Sequence, residues 1–244
     1  MEWLAEGPFS GNLWLSRELS NKRKQSPMTV LLSTTFFGPI QWYQKLYRSE
    51  RVLLEACESF VKQTYRNRCV IATTNGIQAL TVPVEHSPLP TSIKDIRISN
   101  HGSWRRVHWN ALQSAYSESP FFEYYADDLR PFFERDYTFL YDFNFEIIQT
   151  VCGLLDIHPH VEPTTDFLPT VSDGASSLLS TMSDGLPVGL SDLRMAISPK
   201  HPMTDMDFQP RPYYQVFAHK HGFLPNLSIL DLLFNMGPEG IFYL

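Results

Sequence analysis

Asn75-Gly76, set between the apolar runs Cys69-Val70-Ile71-Ala72 and Ile77-Gln78-Ala79-Leu80-Thr81-Val82, is the feature that most restricts the folds open to this chain. An Asn-Gly pair supplies the two φ > 0 positions of a type I′ turn, and β-rich flanks on either side then pair as a hairpin. With that turn setting the register, Ile71 faces Leu80, Cys69 faces Val82 and Arg66 falls opposite Glu85. One face carries Cys69, Ile71, Leu80, Val82 and Val84. The other carries Val70, Ala72, Ala79 and Thr81, with Arg66 and Arg68 at its far end. A floor of small side chains rimmed by two guanidiniums suits a phosphate or carboxylate, which arginine grips through two parallel hydrogen bonds. The structural alternative pairs Arg66 with Glu85 across the ladder.

The chain's 244 residues are enough for one sizeable core. A hydrophobic share of 43% with 19% charged residues is that of a globular protein, and the net charge of -6 argues against a general nucleic-acid binder, which needs a basic footprint. Cys57, Cys69 and Cys152 are odd in number and lack C-x-x-C spacing, so neither a disulfide framework nor a cysteine zinc site is expected, and a reducing cytoplasm fits. No apolar run approaches the ~20 residues that span a bilayer. At the N-terminus the cationic cluster Lys22-Arg23-Lys24 follows the apolar part instead of preceding it, unlike a signal peptide.

In chain order, residues 1–27 read as an extension outside the core, and 28–244 as a single α/β domain with a mobile, Ser/Asp/Gly/Pro-rich spacer at 161–191. Thr29 to Leu32 is strand-like, Pro39 opens a helix carrying Ile40, Tyr43 and Leu46, and Arg51 to Glu55 returns as a strand. Strand, helix, strand makes a βαβ unit with parallel pairing, whose first loop lies at a ligand-facing edge. Gln41 and Tyr43 either line a pocket there or sit on a surface helix. Ile93 to Ile98 alternates as a further strand. Three helices follow, the first capped by Ser103 with Trp104, His108 and Leu112 on one face, the second ending by Arg130, the third starting near Asn144. Tyr213 to Phe217 is strand-like. Ser228 caps a last helix with Asp231 as an approximate capping box, and Leu227 and Leu232 form a hydrophobic staple. The fold class is therefore α/β: a mixed sheet from the βαβ unit and the hairpin, a helical layer from the middle of the chain, and a C-terminal strand-helix.

Titratable candidates are few. His219 and His221 are two apart, so on an extended segment they project the same way, and His108 sits between apolar neighbours. These histidines serve either acid-base chemistry or, for His108, core packing. No metal site and no cofactor is expected, because His-x-His lacks a third ligand at diagnostic spacing and the phosphate- and dinucleotide-binding glycine motifs are missing. Asn226 lies beside a helix N-terminus that favours anions.

Arg66-Asn67-Arg68 followed by Leu80-Thr81-Val82-Pro83-Val84, then Trp104, His108 and Tyr116, then Pro225 to Asn235 closing with Gly237-Pro238-Glu239, resemble the WbqC-like proteins, a bacterial family found among surface-polysaccharide (O-antigen) genes. Phe37, Pro39, Gln41, Tyr43 and Lys45 resemble a subgroup, and Asp192-Leu193-Arg194 and Ser198-Pro199-Lys200 again resemble the family, so Arg194 and Lys200 either return to the site or are solvated charges. The chain departs from the commoner family form in one place, having Leu32-Ser33-Thr34 where relatives open with His-Gln-Pro. The resemblance implies a cytoplasmic transferase that moves an aminoacyl or acyl group onto an activated sugar. A nucleotide-linked sugar or other phosphorylated small molecule is then the partner. On that reading Lys62, Arg66 and Arg68 hold phosphate, with Asn67 and Thr81 beside them. Tyr65 and Trp104 stack on a ring, Gln41, Tyr43 and Asn226 line the pocket, and His219, His221 or His108 takes the proton. The alternatives are a non-catalytic binding or scaffold module in the same pathway and a nucleotidyl-transfer enzyme.

Overall fold

Two strands with unbroken apolar centres organise the structure. β1 (Thr29–Ser33, TVLLS) is buried along its whole length, and β2 (Arg51–Glu55, RVLLE) along all but its first residue. Strands buried on both faces belong inside a parallel sheet, and β1 pairs with β2 in parallel register, Val30 beside Val52 and Ser33 beside Glu55. The computed structural model describes residues 29–87, 89–169, 190–200 and 205–244. Two short parallel edge strands flank the pair, β5 (Val161–Pro163) beside β2 and β6 (Leu190–Asp192) beside β1, giving the order β5-β2-β1-β6. The two ends of the 161–191 stretch are thus sheet strands, and its middle, 170–189, lies outside the described residues together with the 1–27 extension.

The crossover between β1 and β2 is α1 (Ile40–Arg48), in which seven consecutive residues from Ile40 to Leu46 are buried. Of the two readings for Gln41 and Tyr43, the surface helix is therefore the wrong one. The hairpin comprises β3 (Arg68–Thr73) and β4 (Gly76–Thr81) and forms its own two-stranded sheet instead of joining the parallel one. Its register also differs from the expected one: Cys69 faces Leu80 and Ile71 faces Gln78. Asn75 keeps φ negative and Gly76 alone is positive, at 105°, so the turn centres on Thr74-Asn75 and is not type I′. Thr73 fixes it locally, its Oγ1 accepting from Asn75 N at 3.3 Å and donating to Gly76 O at 2.9 Å. Because β4 slides by two residues and not one, every side chain keeps its face, and Cys69, Ile71, Leu80 and Val82 are buried together. Arg66 no longer meets Glu85, which pairs with Arg97 at 3.6 Å.

The helical layer consists of α2 (Trp104–Tyr116), α3 (Phe122–Leu129) with a 3-10 turn at Arg130–Phe133, and α4 (Leu140–Leu154). Trp104, His108, Leu112 and Ala115 share the buried face of α2, although Ser103 makes no side-chain cap. α4 starts four residues before Asn144, with Leu140, Tyr141 and Phe143 buried in its first turn. Aromatic rings join the layers: Phe36 stacks on Phe143 at 5.7 Å, and Phe37 on Phe133 at 6.0 Å.

Two expected strands are absent from the described residues. Ile93–Asp95 is a 3-10 turn, because Ile93, Ile96 and Ile98, all buried, are spaced three and then two apart, one helical step followed by one extended step. Residues 213–217 pair with no strand. Tyr213 and Gln215 are instead drawn inward by hydrogen bonds to Asp231, and a one-turn helix, α5 (Ala218–His221), follows. On a helix, residues two apart diverge by about 200°, so His219 and His221 do not project together. In α6 (Ile229–Met236) Ser228 caps as expected, its Oγ accepting from Leu230 N at 3.3 Å, and Leu227 and Leu232 are buried. The capping box itself does not form. The Asp231 carboxylate faces the core and accepts from Tyr116 Oη at 2.8 Å, Tyr213 Oη at 2.6 Å and Gln215 Nε2 at 3.0 Å.

Candidate functional site

Parallel strands end with their ligand-facing loops at the carboxyl edge of the sheet. Here β1 runs out into Ser33-Thr34-Thr35, β2 into Glu55 to Glu58, and β6 into Asp192-Leu193-Arg194. Between them lies a recess of about 220 Å³, counted with its open mouth. Ser33, Thr34, Thr35, Tyr65, Arg66 and Arg194 supply its polar lining, and Trp42, Leu193 and Ile197 its apolar walls. The β1 loop is fixed from the far side by α6: Pro39 bridges Ser228, Ile40 N donates to Leu227 O at 3.0 Å, Ile229 N to Gly38 O at 2.9 Å, and Ser228 Oγ to Phe37 O at 2.8 Å. Phe37 sits at φ 41°, a left-handed conformation unusual for a bulky side chain. Phe36 N donates to Tyr65 O at 2.9 Å, which ties the approach to the hairpin to the same loop.

The two arginines are held from behind. Arg66, 4% exposed, clasps Glu58 through Nε at 2.7 Å and Nη2 at 2.6 Å, and Nη2 also donates to Ser33 Oγ at 2.7 Å. Arg194 grips Asp192 through Nε at 3.0 Å and Nη2 at 2.6 Å, and its Nη1 reaches Glu55 at 3.0 Å. Glu55 is fully buried and fully used, accepting in addition from Cys57 N, Thr164 Oγ1 and Leu168 N. Burial works against the charge on Arg194, but the bond to Asp192 and the fields of Asp192, Glu55 and Glu58 outweigh it and raise its pKa. A guanidinium carries five N–H groups. Each arginine spends three on these partners, which leaves two apiece without an acceptor among the described residues. Thr34 and Thr35, 0% and 2% exposed, bury hydroxyls that have no hydrogen-bond partner there. Burial also raises the pKa of Tyr65.

Of the residues singled out from sequence, Tyr65, Arg66 and Arg194 line this recess. The others lie elsewhere or are committed to the fold. Arg68 is half-buried and donates to Thr81 Oγ1 at 3.1 Å, a cross-strand pair. Asn67 closes the hairpin through Val82 O at 2.9 Å. Lys62 is exposed, while Lys200 bonds Gln63. Gln41 and Asn226 exchange reciprocal bonds, Gln41 N to Asn226 Oδ1 at 2.9 Å and Asn226 Nδ2 to Gln41 Oε1 at 3.0 Å. Gln41 also joins Lys45 in holding Asp205. Asn226 borders a second recess of about 240 Å³ with Ile40, Phe208, Arg211, Tyr213 and Phe223. Tyr43 is fully buried, and that burial pushes its pKa well up.

None of the three histidines lines the recess. His108 is buried between Trp104, 5.2 Å away, and Phe36, 6.1 Å away, and burial lowers its pKa to about 4. Trp104 spends its Nε1 on Ser99 O at 3.1 Å. His219 Nδ1–H donates to Val216 O and His221 Nε2–H to Thr74 O, both at 3.1 Å and exposed. Sequence reasoning missed Glu58 and the Ser33-Thr34-Thr35 hydroxyls as site residues. The available signal was position: three consecutive hydroxyls directly after a buried strand of a βαβ unit.

No group of three or more His, Cys, Asp and Glu residues among those described is placed to hold a metal ion, and no described helix is long and apolar enough to cross a membrane. The model of the WbqC-like protein family matches residues 34–184, which include Thr34, Thr35, Tyr65 and Arg66. The chain is also similar to "Uncharacterized protein Rv1507c" of Mycobacterium tuberculosis, 31% identical over 198 residues that span 76% of this chain and 83% of that protein. No solved structure matches the chain.

Proposed function

Since the chain belongs to the WbqC-like protein family, we propose that it is a transferase of surface-polysaccharide synthesis that binds an activated sugar at the carboxyl edge of its parallel sheet and moves an aminoacyl or acyl group onto it. The observation that carries the binding half of this reading is the recess between the ends of β1 and β6. There Arg66 and Arg194 are immobilised by carboxylates and still have N–H groups to offer a ligand. Donors fixed before the ligand arrives lose little entropy on binding. Ser33, Thr34, Thr35 and Tyr65 complete its polar lining. His108, His219 and His221 do not border the recess.

The non-catalytic binding module is the second reading, favoured by one observation: each guanidinium at the site is neutralised by its own carboxylate, an arrangement suited to holding a ligand without turnover. Both readings need the recess to bind. A thermal-shift panel of nucleotides and nucleotide-linked sugars tests that, since a ligand at 100 times its Kd adds about 2.7 kcal/mol. At least one nucleotide-linked sugar should stabilise the protein, Tyr65→Ala should diminish the effect, and Arg68→Ala should leave it intact. A panel without a single stabilising member, or equal losses in the two variants, overturns the assignment.

A further inference from the structure

Cys57 differs from the other two cysteines both in exposure and in having a partner. Cys69 and Cys152 are buried, 1% and 6% exposed, whereas Cys57 is half-buried just past the end of β2. Its Sγ donates to Thr165 O at 3.2 Å and receives Lys94 Nζ at 3.6 Å. For the exposed Lys94 that is the one polar contact of the side chain among the described residues, so its ammonium rests on a sulfur and not on a carboxylate. We infer that Cys57 and Lys94 form a peroxide-responsive modification site, in which the thiol is oxidised to a sulfenic acid and then joined covalently to the lysine amine. Neither residue borders the recess, and the site is independent of the function proposed above.

The two side chains stand on segments that are pinned to each other. Ile93 N donates to Glu58 O at 2.8 Å, Lys94 N to Ala56 O at 3.2 Å and Phe60 N to Thr91 O at 2.9 Å, and Ser92 Oγ adds a bond to Ala56 O at 3.0 Å. Ile93, between Ser92 and Lys94, is 0% exposed and anchors its turn in the core. Two reacting groups held on such a frame meet as if at high concentration, because the entropy of bringing them together was spent when the chain folded.

The chemistry balances with one equivalent of a peroxide as oxidant. The Cys57 thiolate attacks a peroxide oxygen, the S–O bond forms, the O–O bond breaks, and the second oxygen leaves with a proton as water. Sulfur is thereby oxidised and the peroxide reduced. Lys94, once deprotonated, attacks the sulfenic sulfur. The N–S bond forms, the S–OH bond breaks, and the hydroxide leaves with a proton from nitrogen as a second water. Sulfenic acids condense with nitrogen in this manner, and the resulting sulfenamide is reversible by thiols. The link also withholds the sulfur from further oxidation to sulfinic acid, which is irreversible.

Mass spectrometry of the full, folded chain treated with hydrogen peroxide tests this. After tryptic digestion the expected product is peptide 52–62 joined to peptide 69–97, uncleaved after Lys94 and lighter by two hydrogen atoms than the two peptides together. Fragment ions should place the link on Cys57 and Lys94 and not on Cys69, and dithiothreitol should release it. Lys94→Arg keeps the positive charge at an exposed position but offers no nucleophilic amine. In that variant the linked peptide should vanish and Cys57 should proceed to sulfinic acid, and Cys57→Ser should give neither product. A wild type whose Cys57 stays reduced, or reaches sulfinic acid as readily as in Lys94→Arg, overturns the inference. So does a link from Cys57 to any other lysine, such as Lys62.

Discussion

His108 makes the stability of this protein depend on pH in a way that can be worked out from its surroundings. The imidazole is 6% exposed, lies between the rings of Trp104 and Phe36, and its Nδ1 has no partner among the described residues. Burial is the single cause that lowers its pKa to about 4 from the ordinary 6.5. As pH falls through 6.5 the unfolded chain takes up a proton at this position, while the native state refuses it until about pH 4. Protonation therefore draws the equilibrium toward the unfolded state across that window, and stability rises with pH from about 4 to 6.5. Two proton-binding curves with those midpoints differ by about 2–3 kcal/mol at pH 4.5 and by almost nothing at pH 7.5. His108→Leu removes the titrating group and keeps an apolar side chain of similar size. At pH 7.5 the variant should lie within about 1–2 kcal/mol of the wild type. On going to pH 4.5 it should lose about 2–3 kcal/mol less. With an m-value of roughly 2–3 kcal/mol per molar urea, that is about 1 M in the difference between midpoints, well within the precision of urea unfolding followed by tryptophan fluorescence. If the two proteins lose stability in parallel between pH 7.5 and 4.5, His108 is solvated or protonated in the native state and the reasoning is wrong.

Other substitutions test the remaining contacts. Arg66→Ala leaves Glu58 as a buried, unpaired carboxylate and should cost about 3–5 kcal/mol, whereas Arg66→Met with Glu58→Leu removes both charges and should recover most of it in chemical denaturation. Asp231→Ala strands the hydroxyls of Tyr116 and Tyr213 together with Gln215 Nε2, and a loss of about 3 kcal/mol or more is expected, read as a lower melting temperature. Ser228→Ala deletes both the cap on Leu230 N and the bond to Phe37 O; about 1–2 kcal/mol is the expected loss, and a neutral result would mean that the cap contributes nothing. At Gly38 a Cβ would stand 2.5 Å from Thr35 Oγ1, so Gly38→Ala should force Thr35 to move and weaken ligand stabilisation more than it lowers the melting temperature.

Much of the fold was legible because it is encoded locally. The apolar centres of β1 and β2, the helix between them and the buried stripe of α2 follow from side-chain periodicity. The cap at Ser228 and the staple of Leu227 and Leu232 follow from neighbours a few residues apart. Even the hairpin's misjudged register kept its faces, since a two-residue slip preserves alternation. The failures share a different cause. At 93–98 the isoleucine spacing fits two periodicities, and at 213–217 a buried carboxylate on α6 supplied the partners that a neighbouring strand would otherwise have offered.

The candidate recess divides along the same line. The sequence put its binding seat on the hairpin face beside Arg66 and Arg68, whereas the recess lies at the ends of β1 and β6, at the ligand-facing edge expected of a βαβ unit, with Arg66 and Arg194 from recognisable runs. Which groups hold those arginines was decided by tertiary structure alone. Arg194 finds Glu55 across 139 residues of chain and Arg66 finds Ser33 across 33, while Lys45 meets Asp205 across 160. Local propensity carries no information about such partners. A buried charge accepts whichever opposite charge the packing brings within hydrogen-bond reach, and only the folded chain brings them together.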